Sequence, residues 1–356
     1  MTDFTRRGVL QVSGAFLVAS ASAAEAAPLR LLYNENPFGP SERAKQAAAA
    51  ALEKGWQYPY EDLAALRKMI AAHEGLKPEN VIVTEGSGEL LKLAALIHSD
   101  KERDVVVARP TFPMLAQYAS RRGANIVWVD LDKDFRHDLA AMQARVNTQT
   151  GLVYVCNPDN PTGSLVNTDD LRRFIAAVSK RALTVVDEAY IDYADDPARV
   201  TVIDQVKAGQ NLIITRSFSK IHGLAGLRIG YGMARADIIR SFESMRMSFP
   251  NRAGLAAARV SYDDEAFLAQ SRQATRDCLD FTQRMFKDLR VPTAPTQASF
   301  LMFDTGRSGA GFVELMRTRN VLISPVTEPY AQWARVSMGR MEDMKRYADV
   351  MRTVFT

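Results

Sequence analysis

Arg216-Ser-Phe-Ser-Lys220, continued by Ile-His-Gly-Leu-Ala-Gly-Leu-Arg228, decides how this chain is read. An apolar run at 212–215 enters a short hydroxyl-rich turn that a lysine closes, and an arginine follows a glycine-rich connection. Lysines are mostly solvated, so Lys220 alone says little. Hydroxyls, glycines and an arginine around it are what a bound phosphate needs. A lysine fixed beside a phosphate can lose its proton and attack a carbonyl.

Around this stretch the chain alternates helical periodicity with short apolar runs. Strands are expected at 81–83, 104–108, 126–129, 152–156, 184–186, 212–215 and 227–231. Most are apolar throughout, as suits strands covered by helices on both faces. One intervening helix is expected at 169–180, after the cap-like Asn167-Thr168. The reading is an α/β layered domain with a largely parallel sheet. After Pro250 the pattern becomes helix-rich to about 289, with strands at 299–303, 321–323 and 334–337 and a closing helix at 341–354. The expected division is a leader at 1–26, an N-terminal arm at 27–54 packing with the small domain, a large domain at 55–250 and a small α+β domain at 251–356.

The chain's 356 residues allow a sizeable core and favour a large domain plus a smaller one. A net charge of +4 without a block of basic residues gives no support to nucleic-acid binding. The histidines His73, His98, His137 and His222 lack ligand spacing, so no metal site is expected. His222 either borders the lysine's pocket or is a solvated loop residue. Cys156 and Cys278 read as buried thiols rather than a disulfide framework. At the start, Thr5-Arg6-Arg7-Gly8-Val9-Leu10 precedes a weakly apolar run and the small-residue stretch Ala24-Glu25-Ala26. That order is a twin-arginine signal, whose apolar run is too short for a permanent membrane span. Export of a folded protein by the twin-arginine machinery is expected, to the periplasm if the source has an outer membrane.

Four other segments fall in line with the lysine stretch: Leu32-Tyr-Asn-Glu-Asn-Pro-Phe-Gly39, Cys156-Asn-Pro-Asp-Asn-Pro-Thr-Gly163, Val185-Val-Asp-Glu-Ala-Tyr190 and Trp333-Ala-Arg-Val-Ser-Met-Gly339. Together they resemble the fold-type I aminotransferases, particularly the histidinol-phosphate aminotransferase family, from about Leu31 to the C-terminus. The resemblance implies pyridoxal phosphate as cofactor, a mostly parallel seven-stranded sheet in the large domain, an amino donor and a 2-oxo acid as substrates, and a homodimer.

Catalytic roles fall on Lys220, Asp187 and Tyr190. Lys220 would hold the cofactor covalently and shuttle a proton. Asp187 would keep the ring nitrogen protonated, while Glu188 should point the other way along the strand. Asn160 and Tyr190 match the pair that donates to the ring's phenolic oxygen, although turn formation alone explains the Asn-Pro-Thr-Gly run equally well. Phe112, in Arg109-Pro-Thr-Phe-Pro113, matches the aromatic that stacks on the ring. Thr84-Glu-Gly-Ser-Gly88 follows a strand and opens a helix, so Ser87 and Gly88 offer free N–H groups to the phosphate. Ser217, Ser219 and Arg228 would complete that shell. Tyr58 matches a tyrosine that relatives extend into the neighbouring subunit. Arg335 matches the arginine that grips the substrate's acidic group, with Asn36 to Gly39 shaping the entrance.

The substrate half departs from the family. Relatives acting on histidinol phosphate carry a second arginine where Val321-Leu-Ile-Ser-Pro325 has Ser324, and the N-terminal extension that contacts substrate in some of them is missing. Arg252 and Arg340 are the basic residues available to fill the gap. A decarboxylase on the same scaffold is the nearest rival, and a non-catalytic ligand-binding protein is the rival from another class.

Overall fold

The computed structural model describes residues 27–355; the twin-arginine segment lies outside them. Seven strands form one sheet in the order Val81–Thr84, Gly230–Ala234, Leu212–Ser217, Leu183–Asp187, Thr150–Cys156, Asp104–Arg109, Ile126–Asp130. Only Gly230–Ala234 runs against its neighbours; the others share one direction. Alternate residues of these strands feed two cores. Val81, Val106, Val153 and Ile214 face one, while Ile82, Val107, Leu152 and Ile213 face the other. Both faces are dry, which is why the strands read as continuous apolar runs rather than alternating ones.

Helices Ser87–His98, Met114–Arg121 and Ala236–Met245 cover one face through Leu90, Leu115 and Phe242. Tyr60–Glu74, Thr168–Val178 and Arg252–Tyr262 cover the other through Ile70, Phe174 and Leu255. The helix expected at 169–180 is Thr168–Val178, and Asn167 Oδ1 caps it by accepting from the N–H groups of Asp169 and Asp170 at 3.0 and 3.1 Å.

A second sheet pairs Trp333–Ser337 antiparallel with both Phe300–Asp304 and Ser324–Pro325. Helices Glu265–Asp288, Gly309–Thr318 and Met341–Phe355 accompany it around Phe286, Phe303, Phe312 and Tyr347. The segment expected as one arm divides its packing. Leu29–Arg30 pairs with Val321–Leu322, and Leu29 and Leu31 join the small core. Ala44, on helix Glu42–Ala51, joins the large core instead. Arg252–Tyr262, beyond the expected boundary at 250, also packs into the large core.

One strand is displaced from its expected place. The run at 227–231 forms a strand only from Gly230, because Arg228 adopts a left-handed backbone, φ 56°, that interrupts extension. That conformation turns the Arg228 side chain back toward Ser219 and Ala225.

Candidate active site

The shared strand direction brings several carboxyl ends to one rim: Thr84, Cys156, Asp187 and Ser217. A crevice at that rim is where open α/β sheets take their ligands. Here it is a cavity of about 480 Å³, walled by those strand ends and closed by small-domain residues 325–327 and Arg335. Of the residues singled out in the sequence, Ser87, Gly88, Phe112, Asn160, Asp187, Tyr190, Ser217, Ser219, Lys220, Arg228 and Arg335 all line it.

Lys220 follows the strand end Ser217 by one short turn. Its Nζ donates to Tyr33 O and Asn34 O, each at 3.3 Å, and lies 5.2 Å from the Tyr190 ring centroid. On one side of it, helix Ser87–His98 starts at Gly86, φ 81°, with no side-chain cap. The helix therefore presents its first N–H groups and positive dipole end to the cavity. Arg228 Nη1 donates to Ser219 Oγ at 3.3 Å. A Cβ at Gly86 would stand 2.5 Å from Arg228 Nη2, so only glycine lets the guanidinium lie against the helix end. Ser217 Oγ accepts from the N–H of Ser219 at 3.0 Å, which fixes the hydroxyl turn.

On the other side lies Asp187, which is buried. Its Oδ1 accepts from Thr215 Oγ1 at 2.9 Å and from the N–H of Ala189 at 3.2 Å, and its Oδ2 accepts from Tyr154 Oη at 3.1 Å. Burial raises its pKa from 3.8 to about 6 despite these donors. Glu188 points to the opposite face, as expected, and accepts from Arg216 Nε at 2.9 Å.

Tyr190 Oη accepts from Asn34 Nδ2 at 2.9 Å and, more weakly, from Asn160 Nδ2 at 3.5 Å. Both amides are oriented by other bonds: Asn34 Oδ1 accepts from Ser337 Oγ at 2.7 Å, and Asn160 Oδ1 accepts from Arg335 Nη1. The phenol thus receives two donations and keeps its own proton free to give. Arg335 Nη2 donates to Leu32 O at 2.8 Å and to Ser324 Oγ at 3.3 Å. Its Nε is buried without a partner. Burial also lowers its pKa, the mark of a cation held out of water.

Other expected residues lie elsewhere. Asn36 is buried beside the cavity, where its Nδ2 donates to Ile221 O at 2.7 Å and to Ser271 Oγ at 3.2 Å. It anchors the entrance loop rather than facing a ligand. Gly39, φ 67°, lets that loop turn, and its carbonyl would lie 2.3 Å from a Cβ at Gly223. Tyr58 is 79% exposed and outside the cavity within one chain. His222 neither borders the pocket nor faces solvent: it is buried, with Nδ1 2.9 Å from Ser261 Oγ. Asn34, Tyr154 and Thr215 were not anticipated. Tyr154 lies two residues before Cys156, which pairs with Asp187 in the neighbouring strand.

The family model for class I and II aminotransferases matches residues 28–351. A histidinol-phosphate aminotransferase of Moorella thermoacetica is 36% identical over 329 residues, spanning 92% of this chain and 85% of its own. Histidinol-phosphate aminotransferase 1 of Nitrosococcus oceani is 34% identical, spanning 92% and 88%. The chain belongs to the class I and II aminotransferases. The crystal structure of histidinol-phosphate aminotransferase from Sinorhizobium meliloti in complex with pyridoxal-5'-phosphate superposes with a TM-score of 0.86 at 28% identity, covering 92% of this chain and 90% of that one.

The aminotransferase uses pyridoxal phosphate, and its residues fit that group. The uncapped helix end with Arg228 against Gly86 suits a phosphate. The buried Asp187 carboxylate suits a protonated ring nitrogen. Lys220 lies in the cavity they share. Both cysteines are free and buried. Among the described residues no group of three or more His, Cys, Asp or Glu could hold a metal, and no helix is long and apolar enough to cross a membrane.

Proposed function

We propose that Lys220 would hold the cofactor through its aldehyde and, once the donor's amine displaces it, would carry the proton from the substrate Cα to the cofactor's carbon, so that an amino group passes from an amino donor to a 2-oxo acid. When bound, pyridoxal phosphate supplies an aldehyde that condenses with amines and a ring that accepts the electron pair left on Cα. Asp187 would keep a proton on the ring nitrogen, and Tyr190, oriented by Asn34 and Asn160, would donate a hydrogen bond to the ring's phenolic oxygen. Phe112 would stack on the ring, while Ser87, Gly88, Ser217, Ser219 and Arg228 would hold the phosphate. Arg335 binds the substrate's acidic group. One observation supports this reading: Lys220, the uncapped helix end at Ser87 and Gly88, and the buried Asp187 carboxylate, which forms no ion pair among the described residues, line a single cavity.

The working unit is a homodimer in which Tyr58 reaches the neighbouring phosphate site. Its support is an exposed apolar surface: Trp56 is 81% exposed, Tyr58 79% and Met247 91%. Tyr60 links this surface to Phe249 by a ring contact at 5.5 Å. Large exposed apolar patches mark association surfaces. The protein reaches its place of work through the twin-arginine route, on the support of Arg6, Arg7 and the stretch to Ala26.

The test incubates purified holoenzyme with amino acids and a 2-oxo acid, assaying oxo acids, amines and carbon dioxide. Oxo acid formed together with a new amino acid supports transamination. Carbon dioxide with an amine would indicate a decarboxylase, and no product at all would indicate a binding protein.

A further inference from the structure

The geometry points to a donor that is an α-amino acid with one carboxylate and an uncharged, largely apolar side chain; this rests on the aminotransferase reading of the same cavity. Lys220, Arg228 and Arg335 are the cations among the described residues that line it. The cofactor engages Lys220 through its aldehyde and Arg228 through its phosphate, which leaves Arg335 for the substrate. Each acceptor that Arg335 meets is neutral: Asn160 Oδ1, Leu32 O and Ser324 Oγ. Its Nε has no partner although it is buried. A half-buried guanidinium that meets only neutral acceptors, with one N–H shut off from water, gains when an anion joins it. One carboxylate satisfies that need.

Within one chain, a second negative charge finds no counterpart among the described residues that line the cavity. Arg252 pairs with Asp62 at 2.8 Å, away from the cavity. Arg340 lies 5.4 Å from the Phe38 ring centroid and lines a separate cavity. Beside Arg335, Ser324 donates its hydroxyl proton to Leu32 O at 2.8 Å, so that proton is committed as well. Glu35 also lines the cavity, and its bond to Arg30 holds its pKa below the ordinary carboxylate value. Its charge is already matched by Arg30, so a second acidic group on the substrate gains no free cation there. Much of the remaining wall is apolar or aromatic, Tyr33, Met114, Pro325 and Val326, with the neutral Thr111 and Thr327 beside it. A phosphate ester such as histidinol phosphate, dianionic and without an α-carboxylate, suits this wall poorly.

The test has two arms on holoenzyme. Calorimetry measures the binding of unreactive 3-phenylpropanoate, glutarate and phenyl phosphate. Spectroscopy of the bound cofactor follows the half-reaction with phenylalanine, leucine, methionine, glutamate and histidinol phosphate. We expect 3-phenylpropanoate to bind at least ~10-fold tighter than the dianions, and Arg335→Gln to weaken it roughly 10- to 100-fold, the worth of a charge-assisted hydrogen bond. Ser324→Arg should narrow or reverse the preference. Half-reactions should be fastest with the apolar amino acids. Glutamate or histidinol phosphate outrunning every apolar donor would overturn the donor class while leaving transamination intact. No half-reaction with any donor, alongside Arg335-dependent binding of 3-phenylpropanoate, would overturn the aminotransferase reading and leave the anion preference standing. Tighter binding of glutarate or phenyl phosphate would overturn the preference itself.

Discussion

Tyr154 donates to Asp187 Oδ2 across 3.1 Å, from the strand paired parallel to the one Asp187 ends. Tyr154 is fully buried, so this bond fixes the carboxylate from beneath while leaving it short of a cation. Without cofactor, Asp187 is a carboxyl whose pKa folding raises from 3.8 to about 6.

That shift has a definite sign. The folded protein holds this proton more tightly than the unfolded chain, so the contribution is complete below pH 3.8 and is lost as pH climbs through about 6. The difference corresponds to about 3 kcal/mol. Denaturation of cofactor-free protein across a pH series should show this loss in the wild type and not in Asp187→Asn. Parallel curves for the two proteins would count against it. Cofactor binding should reverse the wild-type trend, because a protonated ring nitrogen favours the ionised carboxylate.

Glu188 sits next in sequence yet serves the fold alone. It accepts from Arg216 Nε at 2.9 Å, Thr201 Oγ1 at 3.0 Å and the N–H of Val202 at 3.0 Å, while Arg216 also pairs with Glu74 at 2.7 Å. Glu188→Ala strands part of a buried cation and should cost about 3–5 kcal/mol of stability. The cofactor spectrum of the folded fraction should be unchanged. A marked spectral shift with little loss of stability would assign Glu188 to the chemistry instead.

The large-domain strands were legible because both faces of the sheet are covered, which leaves an uninterrupted apolar signature. The displaced strand was not, since nothing in Gly-Leu-Arg announces that Arg228 turns left-handed to bring its guanidinium against Gly86. Many of the site residues that could be read are held near strand ends by local turns, as are Ser87, Asn160, Asp187, Ser219 and Lys220. Asn34 could not be read, because its partners Tyr190 and Ser337 are 156 and 303 residues away. Tyr154 was hidden differently: in a core strand a buried tyrosine looks like any other apolar filler. Asn36 and Gly39, expected to shape the entrance, act on the backbone path and do not line the cavity.

Tyr58 offers a test of assembly. Tyr58→Phe should weaken cofactor affinity by a few-fold, the loss of one exchangeable hydrogen bond of about 1 kcal/mol. Mixed with Lys220→Ala protein under exchange conditions, it should recover wild-type cofactor affinity in hybrid dimers that carry one intact site. A fully active monomer by light scattering would contradict the shared site.

Export should depend on the arginine pair. Arg6→Lys with Arg7→Lys should leave a folded, cofactor-loaded precursor in the cytoplasm, measured by fractionation and cofactor absorbance. Normal export of the double variant, or a block only when the general secretory route is closed, would exclude the twin-arginine route.

Lys220 carries the central claim, and borohydride reduction of the holoenzyme followed by peptide mass spectrometry tests it most directly. The cofactor mass should appear on the peptide containing Lys220 and nowhere else. Lys220→Ala should lose that label and reduce turnover by at least ~10²–10⁴, the usual contribution of a positioned base. A label on a different lysine, with full turnover in Lys220→Ala, would contradict the account.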